Sequence, residues 1–476
     1  MKNYTYQWTR NIQSDFWAGL VVALALIPEA IAFSILAGVS PMVGLYSSFI
    51  IAISISFFGG RPAMISAATG AMSIVIVSLV KDYGLQYLLA ATILTGFIQI
   101  IFGFMKVSRL MALIPNSVMI GFVNSLALLV FIAQLPHFIT GNFTTWLFLL
   151  LTIGLIYLVP FFIKVIPAPL IVVVILSIVA SVFQIELKTV EDMGEITKQL
   201  PVFLFPDIPL NLETLMIILP YSFTLAIVGL LESLLTASIL DDMTHENSSK
   251  EMESHGQGIS NIITGFFGGM AGCAMIGQSI INVRTGARGR FSTFIAGAAL
   301  LVLILILGDL VKQIPMPVLA GVMIVVCITQ FDWSCFPYMM KAPIKESFTL
   351  VLTTALVIYT HNLAIGVAVG VIVSLIFFVF DLAKLNITKQ DSHYTISGNL
   401  FFVSAEYLKK YLKNEQHLYD KVTIDFSDCT IMDETAWKAI EEMKRYFYFK
   451  NIEVEYIGLK NKETLMPSKF KTDTDV

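Results

Sequence analysis

From Asp15 to about Lys384 the chain is a succession of apolar runs separated by short polar gaps. Most runs are close to the roughly 20 residues that cross the hydrocarbon core of a bilayer. The pattern predicts spans at 15–37, 41–58, 66–80, 84–105, 115–134, 144–163, 168–184, 214–240, 256–272, 276–287, 291–308, 316–331, 346–360 and 362–383. Those starting near Ser66 and Ile276 are too short or too polar for ordinary crossing helices, and each is the third in its half. Between Gly265 and Arg290 glycines break the apolar text, and Gln278, Ser279, Asn282 and Arg284 stand where a span should be apolar. Gly59–Ser73 runs in a similar way from paired glycines through a short extended piece into small and hydroxyl residues. Irregular backbone at membrane depth is tolerated only where protein or a watery cavity satisfies its freed polar groups, so both stretches point to a cavity. Interrupted segments at matching positions of two halves mark an inverted-repeat transporter with its site between them.

After Lys384 the text becomes that of a soluble protein. His393–Val403 predicts two short strands turned at Ser397-Gly398-Asn399, Ala405–Leu412 a helix, and Val422, Ile424 and Phe426 an alternating strand. Asp433 can cap a helix with Trp437, Ile440, Met443 and Phe447 on one face, and Ile452, Val454 and Tyr456 alternate again. The expected organisation is a transmembrane domain over 1–388, with repeats at about 12–184 and 212–385, followed by a small α/β domain over 389–476. From about Lys460 the sequence is polar and reads as a mobile tail.

Composition changes the picture only by exclusion. With 56% hydrophobic and 13% charged residues the chain cannot wet the exterior of a soluble fold. The net charge of −4 is sorted by loop and suits no nucleic-acid partner. Arg61, Lys106, Arg109, Lys164, Arg284, Arg288, Arg290, Lys341 and Lys345 fall on the side of Lys2 and Arg10 if spans alternate, whereas the opposite loops at His137–Asn142 and Thr360–Asn362 have no Lys or Arg. The positive-inside rule then places both termini in the cytoplasm of a plasma-membrane protein. Lys81, Lys188, Lys198 and Lys312 fall outside; Lys188 and Lys198 share a long loop with Glu186, Glu191, Asp192 and Glu195, and long loops weigh little in that rule. Asp15–Ala37 has no cleavage site after a short apolar core and reads as a span, not a signal peptide. Cys273, Cys327, Cys335 and Cys429 have no metal spacing and are expected as free thiols.

Glu232 lies in the eighth span, on one helical face with Gly229 and Thr236. A charge at the bilayer centre costs about 2.5–3.5 kcal/mol on insertion scales, so such a carboxylate is expected to face a cavity and to serve in ion coupling. Glu29 is its counterpart in the first span; standing directly after Pro28, it can equally bond backbone freed by the proline. Ser66, Thr69, Ser73, Gln278, Ser279 and Asn282 each fit interhelical hydrogen bonding when taken singly. Clustered at two interrupted segments, they read with Gly70, Ile276 and Gly277 as a substrate site. A helix that starts at mid-membrane aims free N–H groups and its positive dipole end into the cavity, worth about 0.3–1 kcal/mol and up to about 2 when partly buried. Two such ends make an anion site with little formal charge. Arg284, Arg288 and Arg290 read as topology determinants and Asp241–Gln257 as a solvated connector. No nucleotide loop, metal cluster or nucleophile elbow occurs, so no cofactor, metal or enzymatic activity is expected, and an ion gradient or the substrate's own must drive the process.

Asp15–Phe33 followed by Gly38-Val-Ser-Pro-Met-Val-Gly-Leu-Tyr-Ser-Ser-Phe49, then Ile65–Gly70, Gly229–Thr236, Gly256–Asn261 and Gly265–Arg290, together resemble the sulfate permease (SulP) family of anion transporters. The tail resembles its STAS domain, with Asp425-Phe-Ser-Asp-Cys-Thr-Ile-Met-Asp433 as core. The resemblance implies two inverted seven-segment repeats, a core moving against a gate in an elevator motion, an anion held between segments three and ten, and a homodimer in the bilayer. Glu232 matches a position that takes part in H⁺ or Na⁺ coupling in relatives; similar sodium-dependent bicarbonate members carry aspartate there and Gly-Ala-Thr where this chain has Ala274-Met275-Ile276. Losing that hydroxyl weakens a Na⁺ site, and a buried carboxylate readily takes up a proton, so the reading leans to H⁺. Animal relatives place arginine where Gln278 stands, and the phosphorylated serine of soluble STAS relatives corresponds to Glu434.

The resulting expectation is a secondary transporter of sulfate or bicarbonate by proton symport. The alternatives are a Na⁺-coupled bicarbonate symporter, a nucleobase permease of the same fold, and a sensor whose tail binds a cytosolic partner.

Overall fold

The structure, a computed structural model, describes residues 2–109, 114–139, 141–163, 166–194, 199–414 and 420–459. The expectations that fall on Lys164, Glu195, Lys198 and the tail from Lys460 lie outside these residues. The chain divides into two compact units, Met1–Val371 and Ile372–Val476.

In the first unit α1 (Lys2–Thr9) precedes α2 (Ile12–Leu36) and α3 (Pro41–Phe58), and the two-residue strand β1 (Ser66–Ala67) leads into α4 (Gly70–Tyr83). Next come α5 (Leu85–Phe104), α6 (Asn116–Gln134), the single turn α7 (Pro136–Ile139), α8 (Phe143–Leu158) and α9 (Ala168–Val182). The same order of long helix, helix, strand and short helix returns as α10 (Leu212–Thr244), α11 (Lys250–Phe266), β2 (Cys273–Ala274) and α12 (Ile276–Arg284). Then follow α13 (Arg290–Lys312), α14 (Met316–Gln330), α15 (Cys335–Lys341), α16 (Ile344–Thr360) and α17 (Leu363–Leu382), whose second half belongs to the second unit. Among the described residues eight helices are long and apolar enough to cross a membrane, which makes this a multi-pass membrane protein.

The packing of this unit falls into two bundles. One joins α2, α3, α4, α5, α10, α11, α12 and α13; the other joins α6, α8, α9, α14 and α16. Contacts between the bundles are sparse and run mainly through α2 with α9 and α14, and α4 with α6. The first bundle owes its closeness to small residues: a Cβ on Gly96 of α5 would stand 2.4 Å from the Gly258 carbonyl oxygen, and one on Gly258 of α11 2.5 Å from that of Gly96. Backbones meet there directly, as lipid-embedded helices do when no hydrophobic drive holds them together.

The stretch Asp241–Gln257 differs from its expectation as a solvated connector. Only a short turn separates α10 from α11, and Glu253, Ser254, Gly256 and Gln257 are buried. Glu253 accepts from the backbone N–H of Gly60 (2.7 Å) and Arg61 (3.1 Å) and from Gln257 Nε2 (2.9 Å), so its polarity serves the interior. Arg290 likewise does more than mark topology. It is buried and donates to the carbonyls of Ser56 (3.0 Å) and Gly59 (2.7 Å). On the same face Arg10 pairs with Glu246 (2.6 Å), donates to the Arg288 carbonyl, and shares Glu246 with Arg61 (3.3 Å).

The second unit holds β3 (Asn386–Gln390), β4 (His393–Leu400), α18 (Phe402–Asn414), β5 (Lys421–Asp425), β6 (Cys429–Ile431), α19 (Glu434–Phe449) and β7 (Glu453–Ile457). β3 lies antiparallel to β4, while β4, β5 and β7 run parallel in that order. Tyr394, Ile396, Val422, Ile424, Trp437, Ile440, Met443 and Phe447 fill one core, as their periodicities predict. The expected turn at Ser397-Gly398-Asn399 is instead a change of partner within one strand. β4 pairs with β5 up to Thr395 and with β6 from Gly398, whose φ of +116° is open only to glycine. Asp433 accepts from Ala436 N (2.8 Å) and Phe402 N (2.8 Å), fixing the starts of both helices.

Candidate functional site

β1 and β2 cross as an antiparallel pair, Ser66 opposite Ala274 and Ala67 opposite Cys273. Each strand ends where a helix begins, α4 at Gly70 and α12 at Ile276. Their backbone is satisfied inside protein: Met275 N donates to Ile65 O (2.8 Å), Gly272 N to Asn261 Oδ1 (2.9 Å) and Ala274 N to Ser233 Oγ (3.0 Å). Gly272 is obligatory, because a Cβ there would lie 2.2 Å from the Ala67 carbonyl oxygen. Extended backbone at this depth therefore rests on partners contributed by α10 and α11.

A cavity of about 920 Å³ adjoins the crossing. Thr69, Gly70, Met275, Ile276, Gly277 and Gln278 line it from the interrupted segments, Glu29 from α2 and Glu232 from α10. Its far wall comes from α6 and α14, the other bundle. Arg284 and Asp242 line it at the ends of α12 and α10; α12 and α10 end toward the face that holds Arg10, Glu246 and Arg288. Thr69 caps α4, accepting from Met72 N (3.4 Å), whereas α12 has no side-chain cap. At Gly277 an added Cβ would meet no atom within 4 Å, so its backbone borders open space.

Seven of the residues read in the sequence as substrate or coupling site thus line one cavity: Glu29, Thr69, Gly70, Glu232, Ile276, Gly277 and Gln278. The hydroxyls of Ser66, Ser279 and Thr236 are engaged elsewhere. Ser66 Oγ accepts from Gln257 Nε2 (2.6 Å), Ser279 Oγ bonds both backbone groups of Ile65 (3.0 and 3.3 Å), and Thr236 Oγ1 donates to the Glu232 carbonyl (2.7 Å). Gln278 Nε2 donates to Glu29 Oε1 at 2.8 Å. Cys273, which the sequence gives only as a free thiol, donates through Sγ to Glu232 Oε2 at 3.0 Å and sits 3.2 Å from Thr69 Oγ1. Asn261 and Gln99 were equally hidden; Asn261 Nδ2 bridges Gln99 Oε1 (2.8 Å) and the Gly272 carbonyl (3.1 Å) behind the crossing.

Two interrupted segments crossing beside a cavity with buried carboxylates define a multi-pass helical transporter fold, here joined to a parallel-sheet α/β unit. The Sulfate permease family model matches residues 12–148 and 139–353, and the STAS domain model matches 384–461. The chain belongs to the sulfate permease family, a family of anion transporters, and carries a STAS domain. It is 51% identical over 458 residues, 95% of this chain and 96% of the other, to the candidate sulfate transporter YbaR of Bacillus subtilis (strain 168). Bicarbonate transporter BicA of Picosynechococcus sp. (strain PCC 7002) is 27% identical over 86% of this chain and 77% of its own. The transmembrane domain of a cyanobacterial BicA superposes with a TM-score of 0.66 at 28% identity, covering 77% of this chain and 97% of that one. Murine Slc26a9 in its inward-facing state shares the fold, with a TM-score of 0.80 at 18% identity over 94% of this chain and 85% of its own.

Proposed function

We propose that the protein is a secondary active symporter of a small inorganic oxyanion, sulfate or bicarbonate, coupled to protons. The observation that carries this reading is the cavity itself, where the N-termini of α4 and α12 meet two carboxylates and Arg284 is the one lysine or arginine lining it among the described residues. Helix N-termini supply donors and a positive field to an anion. Two ionised glutamates would repel that anion, so co-entry of protons removes the repulsion. It also offsets the roughly 2.3 kcal/mol per charge per 100 mV that opposes inward movement of an anion. The substrate class is carried over from the relatives named as sulfate and bicarbonate transporters.

A proton is favoured over Na⁺ by what surrounds Glu232. Its carboxylate meets a thiol, and the residues at the start of α12 are Met275 and Ile276, so few oxygens are present to coordinate a cation. The sparse packing between the two bundles supports an elevator motion of the bundle bearing both interrupted segments against the other. The recurring element order and the antiparallel crossing support inverted repeats at about 12–184 and 212–385, with the transport domain ending near 388. Cytoplasmic termini in the plasma membrane follow from the charge bias, and a homodimer from the family resemblance. Uptake of labelled sulfate and bicarbonate into proteoliposomes under separate H⁺ and Na⁺ gradients tests the proposal. Accumulation driven by H⁺ is expected; accumulation driven by Na⁺ alone, or by neither, contradicts it.

A further inference from the structure

The mechanism above uses Glu29 as a lone carboxylate and gives Gln278 no part, yet the structure holds the two as a pair. Gln278 is the third residue of α12, 96% removed from solvent, and its Nε2 is spent on Glu29 Oε1 at 2.8 Å. Its Oε1 is buried with no hydrogen-bond partner, although a buried amide oxygen ordinarily has one. Both side chains line the cavity, beside the uncapped start of α12 and the open backbone of Gly277. Among the described residues Gln278 is the one hydrogen-bond donor to the Glu29 carboxylate.

We propose that Glu29 and Gln278 form a proton-dependent acid–amide pair that converts this wall of the cavity from anion-repelling to anion-binding. With Glu29 ionised, the wall presents a negative charge and an unpaired amide oxygen, which oppose the donors that the α12 N-terminus offers an anion. A proton taken up on Glu29 Oε2 supplies the missing donor. The acid O–H then bonds Gln278 Oε1 while Nε2 keeps its bond to Glu29 Oε1, closing a ring in which each acceptor is paired. The second N–H of the amide is left over, and it is the group offered to the anion. One protonation thus removes a repelling charge and satisfies a buried oxygen, so that the second N–H meets the anion without an ionised carboxylate beside it. The specificity is for an anion with an accessible oxygen, held by backbone N–H groups and one amide.

The other titratable groups around this cavity do not bond the pair. Glu232 and Asp242 of α10, Arg284 of α12, Tyr157 of α8 and Asp332 after α14 line the same cavity without bonding Glu29. Of the elements packed on α2, α9 has no ionisable side chain, α14 only Cys327 and α3 only Tyr46. Lys81, Asp82 and Tyr83 of α4 and Arg290, Asp309 and Lys312 of α13 sit at helix ends, and Asp15 of α2 accepts from the backbone of Arg288 and Gly289.

This inference rests on the proton-coupled reading, and its test separates the two. The full-length protein in liposomes is assayed for KM with labelled sulfate, whose charge is constant over the range, from acidic to mildly alkaline pH; bicarbonate at matched concentration forms a parallel arm. In the wild type KM should rise roughly tenfold or more toward alkaline pH, the equivalent of one hydrogen bond to an ion. Glu29→Gln should hold KM closer to its acidic value and leave a clearly shallower profile, the remaining slope belonging to Glu232. Gln278→Met should raise KM roughly tenfold at acidic pH and make the profile shallower, and the double variant should be no worse than Gln278→Met alone. A wild-type slope surviving in Glu29→Gln, or an unchanged KM and slope in Gln278→Met, overturns the pair. If at the same time a proton gradient drives the wild type but not Glu232→Gln, proton coupling stands and only the pair falls; if no proton gradient drives the wild type, both fall. Infrared difference spectra on anion addition give a readout independent of transport. A protonated-carboxyl band absent from Glu29→Gln and displaced in Gln278→Met is expected, and a band that is missing from the wild type or unmoved in Gln278→Met contradicts the proposal.

Discussion

Replacing Glu253 with alanine tests whether the crossing depends on a carboxylate at the rim of the membrane unit. Glu253 is fully buried and receives Gly60 N, Arg61 N and Gln257 Nε2; Gln257 Nε2 in turn reaches Ser66 Oγ in β1. Alanine leaves two backbone N–H groups without an acceptor, at about 1–3 kcal/mol each, or about 2–6 kcal/mol together. Glutamine should be far milder. Its carbonyl can still take both backbone groups, and the unpartnered Gln257 Oε1 can turn to accept from the introduced amide, so a loss of about 1 kcal/mol or less is expected. The assay is the apparent thermal midpoint of detergent-solubilised protein at a fixed scan rate, since a protein of this kind unfolds irreversibly. The alanine variant should lose several degrees and the glutamine variant little. An alanine midpoint within about 1 °C of wild type, or a glutamine variant as damaged as the alanine one, would refute this view of Glu253 as the acceptor that holds the Gly60–Arg61 turn.

Gly272→Ala should abolish uptake while leaving the STAS unit folded, because its Cβ would stand 2.2 Å from the backbone oxygen of Ala67 and force β1 and β2 apart. Retained uptake by a well-expressed variant would show that the crossing can widen without loss. Glu246 lies in the turn between α10 and α11, where hydrogen bonding and charge from Arg10 hold its carboxyl below the ordinary glutamate value of 4.5. A depressed value means that its contribution is complete above pH 4.5 and is lost as pH falls through the lower folded value. With the side chain 35% exposed, Glu246→Gln should cost no more than about 0.5–1 kcal/mol near neutrality, and its midpoint should converge with the wild type in acid. A gap that stays constant down to strong acid would contradict the assignment.

The outline of the fold could be read in the chain because a membrane forces it into the open. Gly59–Ser73 and Gly265–Arg290 break an apolar background that tolerates breaks only around cavities, and the structure places both beside one. What stayed hidden was hydrogen bonding between distant residues. Glu253 looks solvated because Glu, Ser and His crowd its neighbourhood, yet its partners Gly60 and Arg61 lie 193 and 192 residues away. Cys273 gives no polar signal until its thiol is seen against Glu232. Ser66 and Ser279 show the converse, since a hydroxyl at a suggestive position can serve Gln257 or the Ile65 backbone. In the second unit, Ser397-Gly398-Asn399 carries a turn signal, but parallel pairing with β6 makes it a bend within β4. A strand of three residues such as β6 is too short for periodicity to reveal.

In the proposed cycle a proton on Glu232 accompanies the anion. Its most direct measurement is uptake of labelled sulfate and bicarbonate by proteoliposomes carrying wild-type or Glu232→Gln protein, with and without an imposed pH gradient. The gradient should drive accumulation in the wild type, and the neutral variant should lose this dependence. Full proton dependence in Glu232→Gln would remove Glu232 from the mechanism.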